Sequence, residues 1–593
     1  MIKKTIRQML TAQIFSALTV SLCLLIDSIM IGRYLGVKAL AAYGFANPLL
    51  LILGAFATML SAGVQVVCSK SLGRGSQEDT NRGYSSAVIV GLMVAAVFLL
   101  IVVPLRSQLA GLLGAGGKEG AEQVIFDDTR NYILGFVIGA PAMMLALVLV
   151  PFLQMAGKST LLIVSVLAMT VADVVFDLLN VLVFQWGMFG MGLASSLSYY
   201  VALIIAVFYF LSKKCVFRFS LKHVSGGKIL ELLRSGLPSV FAMASSVVIV
   251  FIMNRLLKNV GGSAAVAAFS VITTLGGSAN CISTGVGGVS LTMSGIFYNE
   301  EDRGNLRSVT GLLCRYSVFL GIAMGAVLAL ASPLLVSLFI REAGTAKEYA
   351  TLGVRLFGLG LIPCALNNTL KSYYQGTEKA YLTAIISIAE SAFFPAIVAY
   401  ILSVPFGTTG AWLYFALGEL IALIALGVFI LIRTKKLPWQ DGAFLLLPEG
   451  FSVPAEDLLE SDIYTEEDAV RVAEQAGRFC RNKGGDAVSA NRIALCVEEM
   501  AVNVVQHGFT KDDKPHQLSI RLLSKPDSWI LRFRDNCRAF DPITYVPREG
   551  KDALGIRLAI ALADDSRYTY SLNMNNLTMI LGKQALAEGR KAK

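Results

Sequence analysis

The sequence contains little charge for its length. Of its 593 residues, 16% are Asp, Glu, Lys or Arg and 55% are hydrophobic, whereas an average soluble protein carries about 25% charged residues. The mean hydropathy is +0.64. The deficit of charge lies in residues 1–433, which contain nearly all the long apolar runs. This composition excludes an ordinary soluble protein and predicts a polytopic membrane protein.

Histidine is scarce, and cysteine has no pattern. Three histidines are too few for a His-based metal site, and the nine cysteines are scattered singly without a CxxC or Cys/His spacing. We therefore expect neither a disulfide framework nor a zinc site. The net charge of +10 is explained by basic cytoplasmic loops of a membrane protein. We therefore expect no nucleic-acid partner.

Twelve apolar runs of about 20 residues are each long enough to cross a hydrocarbon core of about 30 Å. The first starts after MIKKTIRQML without a small-residue cleavage site, so we expect a retained helix and not a signal peptide. Basic residues concentrate in alternate loops, which predicts a multi-pass protein of the cell (inner) membrane with both termini in the cytoplasm. The runs lie near residues 13–34, 44–71, 84–106, 130–151, 159–184, 190–212, 236–258, 265–294, 309–340, 350–373, 380–403 and 409–433.

The membrane part contains an internal repeat of about two hundred residues. Leu24–Leu49 returns as Phe251–Leu275, and Gln154–Gly157 returns as Tyr373–Gly376. Each copy holds six predicted spans, so both copies run in the same direction and are related by an axis along the membrane normal. We predict two six-helix bundles with pseudo-twofold symmetry, residues 1–215 and 216–436.

Three carboxylates interrupt apolar helices of the first copy. Asp27 lies in the first predicted span, and Asp173 and Asp177 are four residues apart in the fifth, on one helix face with Asn180 nearby. A carboxylate in a membrane is costly and faces a cavity, a partner or an ion. Two on one face cannot both ionise cheaply, which suits a site that exchanges a proton or Na⁺. The alternative is that Asp27 and Asp173 hydrogen-bond to Ser, Thr or Asn and only hold helices together.

Residues 1–433 resemble the multidrug and toxic compound extrusion (MATE) family. The resemblance is carried by IDSIMIGRYLG, AAYGFANPL, LQMAGK and FDLLN. It implies alternating access and export of amphipathic small molecules against an inward flow of Na⁺ or H⁺. Asp27 and Asp177 match the family's coupling carboxylates, while Asp173 stands where members often carry Asn, so the ion is left open. Lipid and polysaccharide flippases share this architecture and remain an alternative.

The composition changes after Lys436. Residues 437–454 contain three prolines and no helical period, which predicts a linker, and residues 455–593 are charged, with strand and helix signals. The basic residues before the linker place this small domain in the cytoplasm.

A helix predicted over Arg492–Phe509 presents Glu499, Asn503 and His507 at intervals of four residues, on one polar face. Asn is a suitable oxygen ligand for Mg²⁺ beside phosphates. Glu can act as a base toward water or a hydroxyl group.

Two alternating strands and a hairpin follow this helix. Leu518–Leu522 and Trp529–Phe533 flank a turn, and the second strand leads to Asp535, whose carboxylate can accept a hydrogen bond from the adenine amino group. Gly555 opens a helix whose N-terminus offers N–H groups to phosphates. The last two strands are predicted to turn at Asn575–Asn576.

The order of these motifs resembles the GHKL ATPases, most closely the anti-sigma-factor serine kinases. The resemblance covers residues 455–585 and implies an α/β sandwich that binds ATP and Mg²⁺. It assigns Glu499 as catalytic base, Asn503 as Mg²⁺ ligand, Asp535 as adenine reader and Thr578 as a neighbour of the adenine. The full ATP site that it implies consists of Asn503, His507, Asp535, Phe540, Gly555, Arg557 and Thr578.

The domain departs from the family pattern at two glycines. The Asp-x-Gly motif is Asp535-Asn536-Cys537, and Ala553 replaces the first glycine of a common Gly-x-Gly. We therefore expect ATP binding rather than fast hydrolysis. Two functions stay open: the domain regulates the exporter, or it is a sensor kinase that phosphorylates Ser or Thr on a partner protein, with weak ATPase activity as a further option.

Overall fold

The structure is a computed structural model that describes residues 2–113, 115, 120–212, 215–340, 344–511, 515–545 and 554–583. Ala553, on which one sequence prediction rests, lies outside these ranges.

The first half of the membrane part is a helical bundle. Two turns on one of its sides matter below: Arg74–Ser76, between the second and third helices, and Ala156–Lys158, between the fifth and sixth. The third helix begins where the Ser76 hydroxyl accepts a hydrogen bond from the Asp79 N–H at 3.3 Å. The helices of this half are α1 (Ile2–Met30), α2 (Val37–Gly73), α3 (Gln77–Leu112), α4 (Gly120–Val137), α5 (Ala140–Met155), α6 (Ser159–Leu179) and α7 (Gly187–Phe210).

The second half repeats this arrangement. Its first helix, α8, is broken at Gly262, where φ is 65° and the backbone is not helical. The parts before and after this break belong to two successive spans, Gly226–Gly262 and Ala264–Asn299. The helices are α8 (Gly226–Ala279), α9 (Cys281–Asn299), α10 (Arg303–Ser337), α11 (Thr345–Gly376), α12 (Ala380–Ile388), α13 (Phe394–Trp412) and α14 (Tyr414–Thr434).

The number of spans agrees with the sequence prediction. Among the described residues, 11 helices are long and apolar enough to cross a membrane, or 12 if the bent pair Glu122–Val137 and Ala140–Met155 is one span. The two members of that pair meet at 49°, next to Pro141. A proline at the second position of α5 begins a helix readily but cannot continue the preceding one. The predicted twelve-span bundle is confirmed.

The two halves are in contact on one side of the bundle. Lys70 of α2 forms ion pairs with Glu231 at 3.5 Å and Glu378 at 3.0 Å. Arg74 donates a hydrogen bond to the Asn299 side chain at 3.1 Å. Since Lys70 and Arg74 belong to the first half and their partners to the second, the halves are closed against each other there. The C-terminal domain lies on this side, which we call the docked side.

Residues 437–454, predicted to be a linker without helical period, pack on the second half. Leu445 is 1% exposed, and its carbonyl accepts hydrogen bonds from the Tyr373 hydroxyl at 2.8 Å and from Lys379 Nζ at 3.0 Å. Burial lowers the pKa of the Lys379 side chain to about 8. The segment that leads into the C-terminal domain is therefore anchored on the second half.

The C-terminal domain is an α/β sandwich with its own hydrophobic core. Three helices, α15 (Glu466–Asn482), α16 (Ala487–Asn503) and α17 (Leu554–Leu562), cover one face of a five-stranded antiparallel sheet. The sheet has the order β1-β2-β3-β5-β4. Its strands are β1 (Leu458–Ile463), β2 (Leu518–Ser524), β3 (Ser528–Asp535), β4 (Asp565–Ser571) and β5 (Met574–Gly582).

Two sequence predictions within this domain need correction. The helix predicted from Arg492 begins five residues earlier, where the Asp486 carboxylate accepts from the Ser489 N–H at 2.7 Å, and after Asn503 it continues as a π-helical turn. The closing hairpin turns at Leu572 and Asn573, since Ser571 pairs with Met574. Asn575 and Asn576 lie within β5. Turn composition favoured the two asparagines, but the actual turn contains a leucine with φ 57°.

Candidate functional site

The acidic side chains of the first half meet in the interior of the bundle. Asp27 is 5% exposed and Asp173 is 3% exposed. They line a cavity of about 30 Å³ that is enclosed by α1, α2, α4, α6 and α7. A cavity of this size holds about one water molecule.

The carboxylate oxygens of this cavity are incompletely paired. Asp27 Oδ2 accepts from the Ser195 hydroxyl at 3.3 Å. Asp27 Oδ1 and Asp173 Oδ1 are buried without a hydrogen-bond partner among the described residues. A buried oxygen without a partner costs free energy unless a proton, water or cation satisfies it. The arrangement can therefore take up a small positively charged species.

Asp177 and Asn180 have different surroundings. Asp177 is fully buried, and neither of its carboxylate oxygens has a partner within the described part of the chain. Asn180 instead supports the turn into α7: its amide donates to the Gly187 carbonyl at 3.0 Å and accepts from the Trp186 N–H at 3.1 Å. The structure thus brings Asp27 and Asp173 together and places Asn180 in a structural turn.

Several polar residues of this cavity were missed in the sequence. Tyr132, Tyr199, Ser195 and Ser198 line it together with the carboxylates. The two serines are three residues apart on α7, so they share a helix face. The spacing of the two serines could have identified a polar face on α7. That this face meets the carboxylates of α1 and α6 follows only from the packing of these helices.

The described residues contain no group of three or more His, Cys, Asp or Glu side chains arranged to hold a metal ion. Asp27, Asp173 and Asp177 are therefore neighbours that do not converge on a common point.

A second cavity lies in the C-terminal domain, between α16 and the sheet. It measures about 450 Å³ and is lined by Asn503 and His507 from α16 and its continuation, by Asp535 at the end of β3, and by Phe540. These are four of the residues predicted for the ATP site. A volume of this order is typical of small-molecule sites, which fall in the range of about 300–1,000 Å³.

Asp535 is held at the base of this cavity by a hydrogen-bond network. Its Oδ1 accepts from the Cys537 N–H at 2.9 Å and from the Asn575 amide at 2.7 Å. The Asn575 carbonyl oxygen accepts from the Tyr568 hydroxyl at 2.7 Å and from the Phe540 N–H at 3.1 Å. Burial raises the pKa of Asp535, and the hydrogen bonds from Asn575 and Cys537 oppose this. Asn575, which sequence reasoning had placed in a turn, fixes the orientation of the carboxylate.

Glu499 and Gly555 are in contact at the edge of the cavity. The Glu499 carboxylate lies where a side chain on Gly555 would project, so glycine leaves room for this position of the Glu499 side chain. Asn503, one turn after Glu499, donates from its amide to the Glu499 carbonyl at 2.7 Å. Arg557 is exposed on α17. Its predicted contact with phosphate stays a prediction.

Thr578 requires a correction. It was expected near the adenine, but it pairs with Arg532 across the sheet and faces the membrane bundle, where it lines a different cavity. Side chains alternate along a strand. Because Leu577 and Met579 face the helices, Thr578 must face the other way, and Asn575 lies on the cavity side.

Comparisons with known proteins agree with this division into a helical bundle and an ATPase-like domain. The MatE family model matches residues 12–179 and 238–401, and a model described as a histidine kinase-like ATPase domain matches residues 464–581. The chain belongs to the MatE family, and its C-terminal domain is of the GHKL type. The predicted combination of the two is confirmed.

The chain is also similar to individual proteins. The multidrug export protein MepA of Staphylococcus aureus (strain NCTC 8325 / PS 47) is 22% identical over 406 residues, which cover 67% of this chain and 86% of MepA. Among solved structures, an outward-facing multidrug resistance MATE transporter matches with a TM-score of 0.66 at 20% identity, covering 71% of this chain and 94% of that one. A MOP superfamily transporter from Pyrococcus furiosus matches with a TM-score of 0.67 at 20% identity, over 73% and 97% of the two chains. These structures support the fold of the membrane part.

Proposed function

We propose that the membrane part exports amphipathic small molecules in exchange for an inward-moving cation, and that Asp27, Asp173 and Asp177 carry the coupling. The observation that carries this proposal is the cavity lined by Asp27 and Asp173, whose unpaired buried oxygens need a positive species. The similarity to a protein named as a multidrug exporter supports the substrate class.

We propose H⁺ as the coupling ion, with Na⁺ as the alternative. Asp27 and Asp173 line one small cavity, and each has a buried oxygen without a partner among the described residues. A proton needs one acceptor oxygen, while a metal cation needs several oxygens around one point.

Transport by the full protein in proteoliposomes tests this proposal. Asp27→Asn is expected to abolish dye export driven by a pH gradient, while the control Asp127→Asn, which changes a partly exposed acid of α4, leaves export intact. Export that follows a Na⁺ gradient at constant pH would transfer the role to Na⁺. Export by Asp27→Asn at the wild-type rate would contradict the proposal.

The C-terminal domain is proposed to lie in the cytoplasm, to bind ATP with Mg²⁺ in the 450 Å³ cavity, and to regulate the exporter. Asp535 would receive the adenine amino group, and Asn503 would hold Mg²⁺ beside the phosphates. Transport itself is driven by the ion gradient. Depletion of ATP with the gradient clamped is therefore expected to change the rate of export without stopping it.

Nucleotide binding by the full protein tests the assignment of this cavity. Asn503→Ala is expected to remove Mg²⁺-dependent ATP binding, and Asn491→Ala, at an exposed position of the same helix, is the matched control. Equal affinity of the two variants would refute the role of Asn503.

Phosphoryl transfer to a protein is the second candidate function. Glu499 lies at the edge of the cavity next to Gly555 and the start of α17, where a base would stand beside the phosphates. Incubation with γ-labelled ATP distinguishes the two: label on a protein serine or threonine, lost in Glu499→Ala, would make the domain a kinase.

A further inference from the structure

The outer face of the sheet, opposite the helices of the C-terminal domain, contacts the second half of the bundle through charged pairs. Arg534 Nη2 lies 2.6 Å from both carboxylate oxygens of Glu300, and Arg521 Nη1 lies 2.7 Å from Asp302 Oδ2. Lys525 Nζ lies 2.6 Å from Glu301 Oε2. Three consecutive acidic residues between α9 and α10 thus pair with three cations from β2, β3 and the turn between them.

The Arg534–Glu300 and Arg521–Asp302 pairs are largely shielded from water, whereas the Lys525–Glu301 pair is partly exposed. Asp302 is 0% exposed and Glu300 is 7% exposed. Burial alone would lower the pKa of the Arg534 guanidinium, but the charge of Glu300 and its hydrogen bonds outweigh this effect and raise the pKa. A buried charge that loses its partner is strongly unfavourable, so the acidic triplet and the sheet face are matched to each other.

The tip of the β4–β5 hairpin contacts the first half of the bundle. The Leu572 N–H donates to the Met155 carbonyl at 2.6 Å, and the Asn573 amide donates to the Gly157 carbonyl at 2.7 Å. Farther along β4, Arg567 donates to the Arg74 carbonyl at 3.3 Å. The side chain of Leu572 is 3% exposed. It belongs to a buried apolar cluster formed mainly by residues of the second half, with Ile6, Met9 and Leu10 of α1. The tip is therefore bound by both halves at once.

The conformation of Leu572 is unusual for a hairpin turn. Its φ is 57° and that of Asn573 is 60°, a combination for which Asn-Gly is preferred and an apolar residue is costly. An isolated hairpin gains nothing from leucine there. Its burial between the halves provides the reason for its presence.

The interface and the nucleotide-type cavity share the same two strands. On β3, Arg534 faces the bundle and the next residue, Asp535, faces the cavity. On β5, Met574 packs against the bundle and the next residue, Asn575, lines the cavity. Since successive side chains point to opposite faces, one layer of sheet separates the two sites. Asp535 and Asn575 are thus each joined by one peptide bond to a residue that faces the bundle, Arg534 and Met574 respectively.

We infer that the sheet face and the β4–β5 tip form a clamp that holds the two halves closed on the docked side. Nucleotide in the cavity changes how strongly this clamp binds the two halves. Alternating access requires the halves to separate on that side, and the clamp binds the first half at Met155–Gly157 and the second at Glu300–Asp302. A cavity of about 540 Å³ between sheet and bundle, lined by Arg521, Arg532 and Arg534, makes the interface polar and incompletely packed, as in contacts that dissociate. The effect of nucleotide on the clamp rests on the proposed function of the C-terminal domain. The closure of the two halves by the clamp does not.

The clamp is tested with spin labels on the full chain in lipid nanodiscs. Labels at Glu78→Cys and Arg303→Cys, both at exposed sites on the docked side, report the separation of the halves after Cys215 and Cys314 are replaced by Ser. The wild-type chain is expected to show a short distance. Glu300→Arg, which places like charges together, is expected to add a longer-distance population, and the charge swap Glu300→Arg/Arg534→Glu is expected to restore the short one.

Two controls make the result decisive. Exchange of the exposed pair Glu474 and Arg478 on α15 should leave the distances unchanged. If Glu300→Arg does not fold, Glu300→Gln keeps the volume and removes the charge. Identical distances in the wild-type chain, the single variant and the charge swap would overturn the clamp.

The link to nucleotide is measured by titrating the same variants with a fluorescent ATP analogue and Mg²⁺. Coupling between two sites is reciprocal and typically amounts to about 5- to 150-fold in affinity. The affinity of Glu300→Arg is expected to differ from wild type by a factor in this range and to return in the charge swap. Equal affinities would refute the coupling. If nucleotide binds none of the proteins, the proposed function of the domain fails, while the spin-label distances still decide the clamp.

Discussion

Replacing Leu572 by Asn is expected to have opposite effects in the C-terminal domain alone and in the full chain. In the isolated domain, residues 455–593, Leu572 would be an exposed apolar residue at a positive φ. In the full chain it is 3% exposed. The same substitution therefore relieves strain in one context and removes a buried anchor in the other.

The magnitudes follow from the turn and from the burial. A non-glycine residue in the left-handed region costs about 1 kcal/mol or more, and Asn tolerates this region better than Leu. Gaining about 1 kcal/mol raises the melting temperature of a domain of this size by about 4 °C. Exposing the Leu572 side chain costs about 2 kcal/mol, which weakens docking in the full chain about thirtyfold.

Calorimetry of the isolated domain and energy transfer between dyes on the domain and on the bundle of the full chain measure the two effects. The isolated variant should melt at a higher temperature than wild type, and the full-length variant should show less energy transfer. A lower melting temperature of the isolated variant would refute the argument, because it would show that Leu572 stabilises the domain itself.

Three further predictions concern single positions. Gly157→Ala should weaken docking, because its φ is +69° and a Cβ would lie 2.6 Å from the Asn573 backbone nitrogen, whereas Gly36→Ala, with φ +90° and open space, should leave energy transfer unchanged. Because burial raises the pKa of Asp535 above the usual value of about 3.9, this residue's contribution to stability is present at lower pH and is lost as the pH rises through the raised pKa. Asp535→Asn should remove this pH dependence from the free energy of unfolding, measured by urea denaturation between pH 4 and 7. Thr578→Val should leave ATP affinity unchanged in a binding titration, while Asn575→Ala should reduce it.

The membrane architecture could be predicted because its signals are local. Runs of about twenty apolar residues define the spans, and the repeat of Leu24–Leu49 at Phe251–Leu275 shows that the bundle is duplicated. The carboxylates Asp27 and Asp173 were identified because charge inside a membrane span is exceptional. Their meeting in one cavity required the packing of α1 on α6, which the spacing of residues along a single helix does not contain.

In the C-terminal domain, errors arose where tertiary contacts override local preference. Asn575–Asn576 has the composition of a turn, yet both residues lie in β5, and the turn contains Leu572 because the bundle buries it. Thr578 was assigned from the family pattern, although the alternation of Leu577 and Met579 already placed it on the other face. The pairs between Arg534 and Glu300 join residues more than two hundred positions apart, and no sequence pattern indicates them.

A single sheet separates the cavity from the bundle, so the residues of one strand are constrained in two ways: some by contacts within the C-terminal domain, and the others by contacts with the bundle. Along β3, Phe533 and Asp535 face the core and cavity of the C-terminal domain, whereas Arg532 and Arg534 face the membrane bundle. A descendant that lost the bundle would be free to change every second residue of this strand and would have to retain the others. A library of substitutions across β3 tests this. In the isolated domain, every second position of β3 should tolerate substitution. In the full chain, those positions should become as sensitive to substitution as their neighbours.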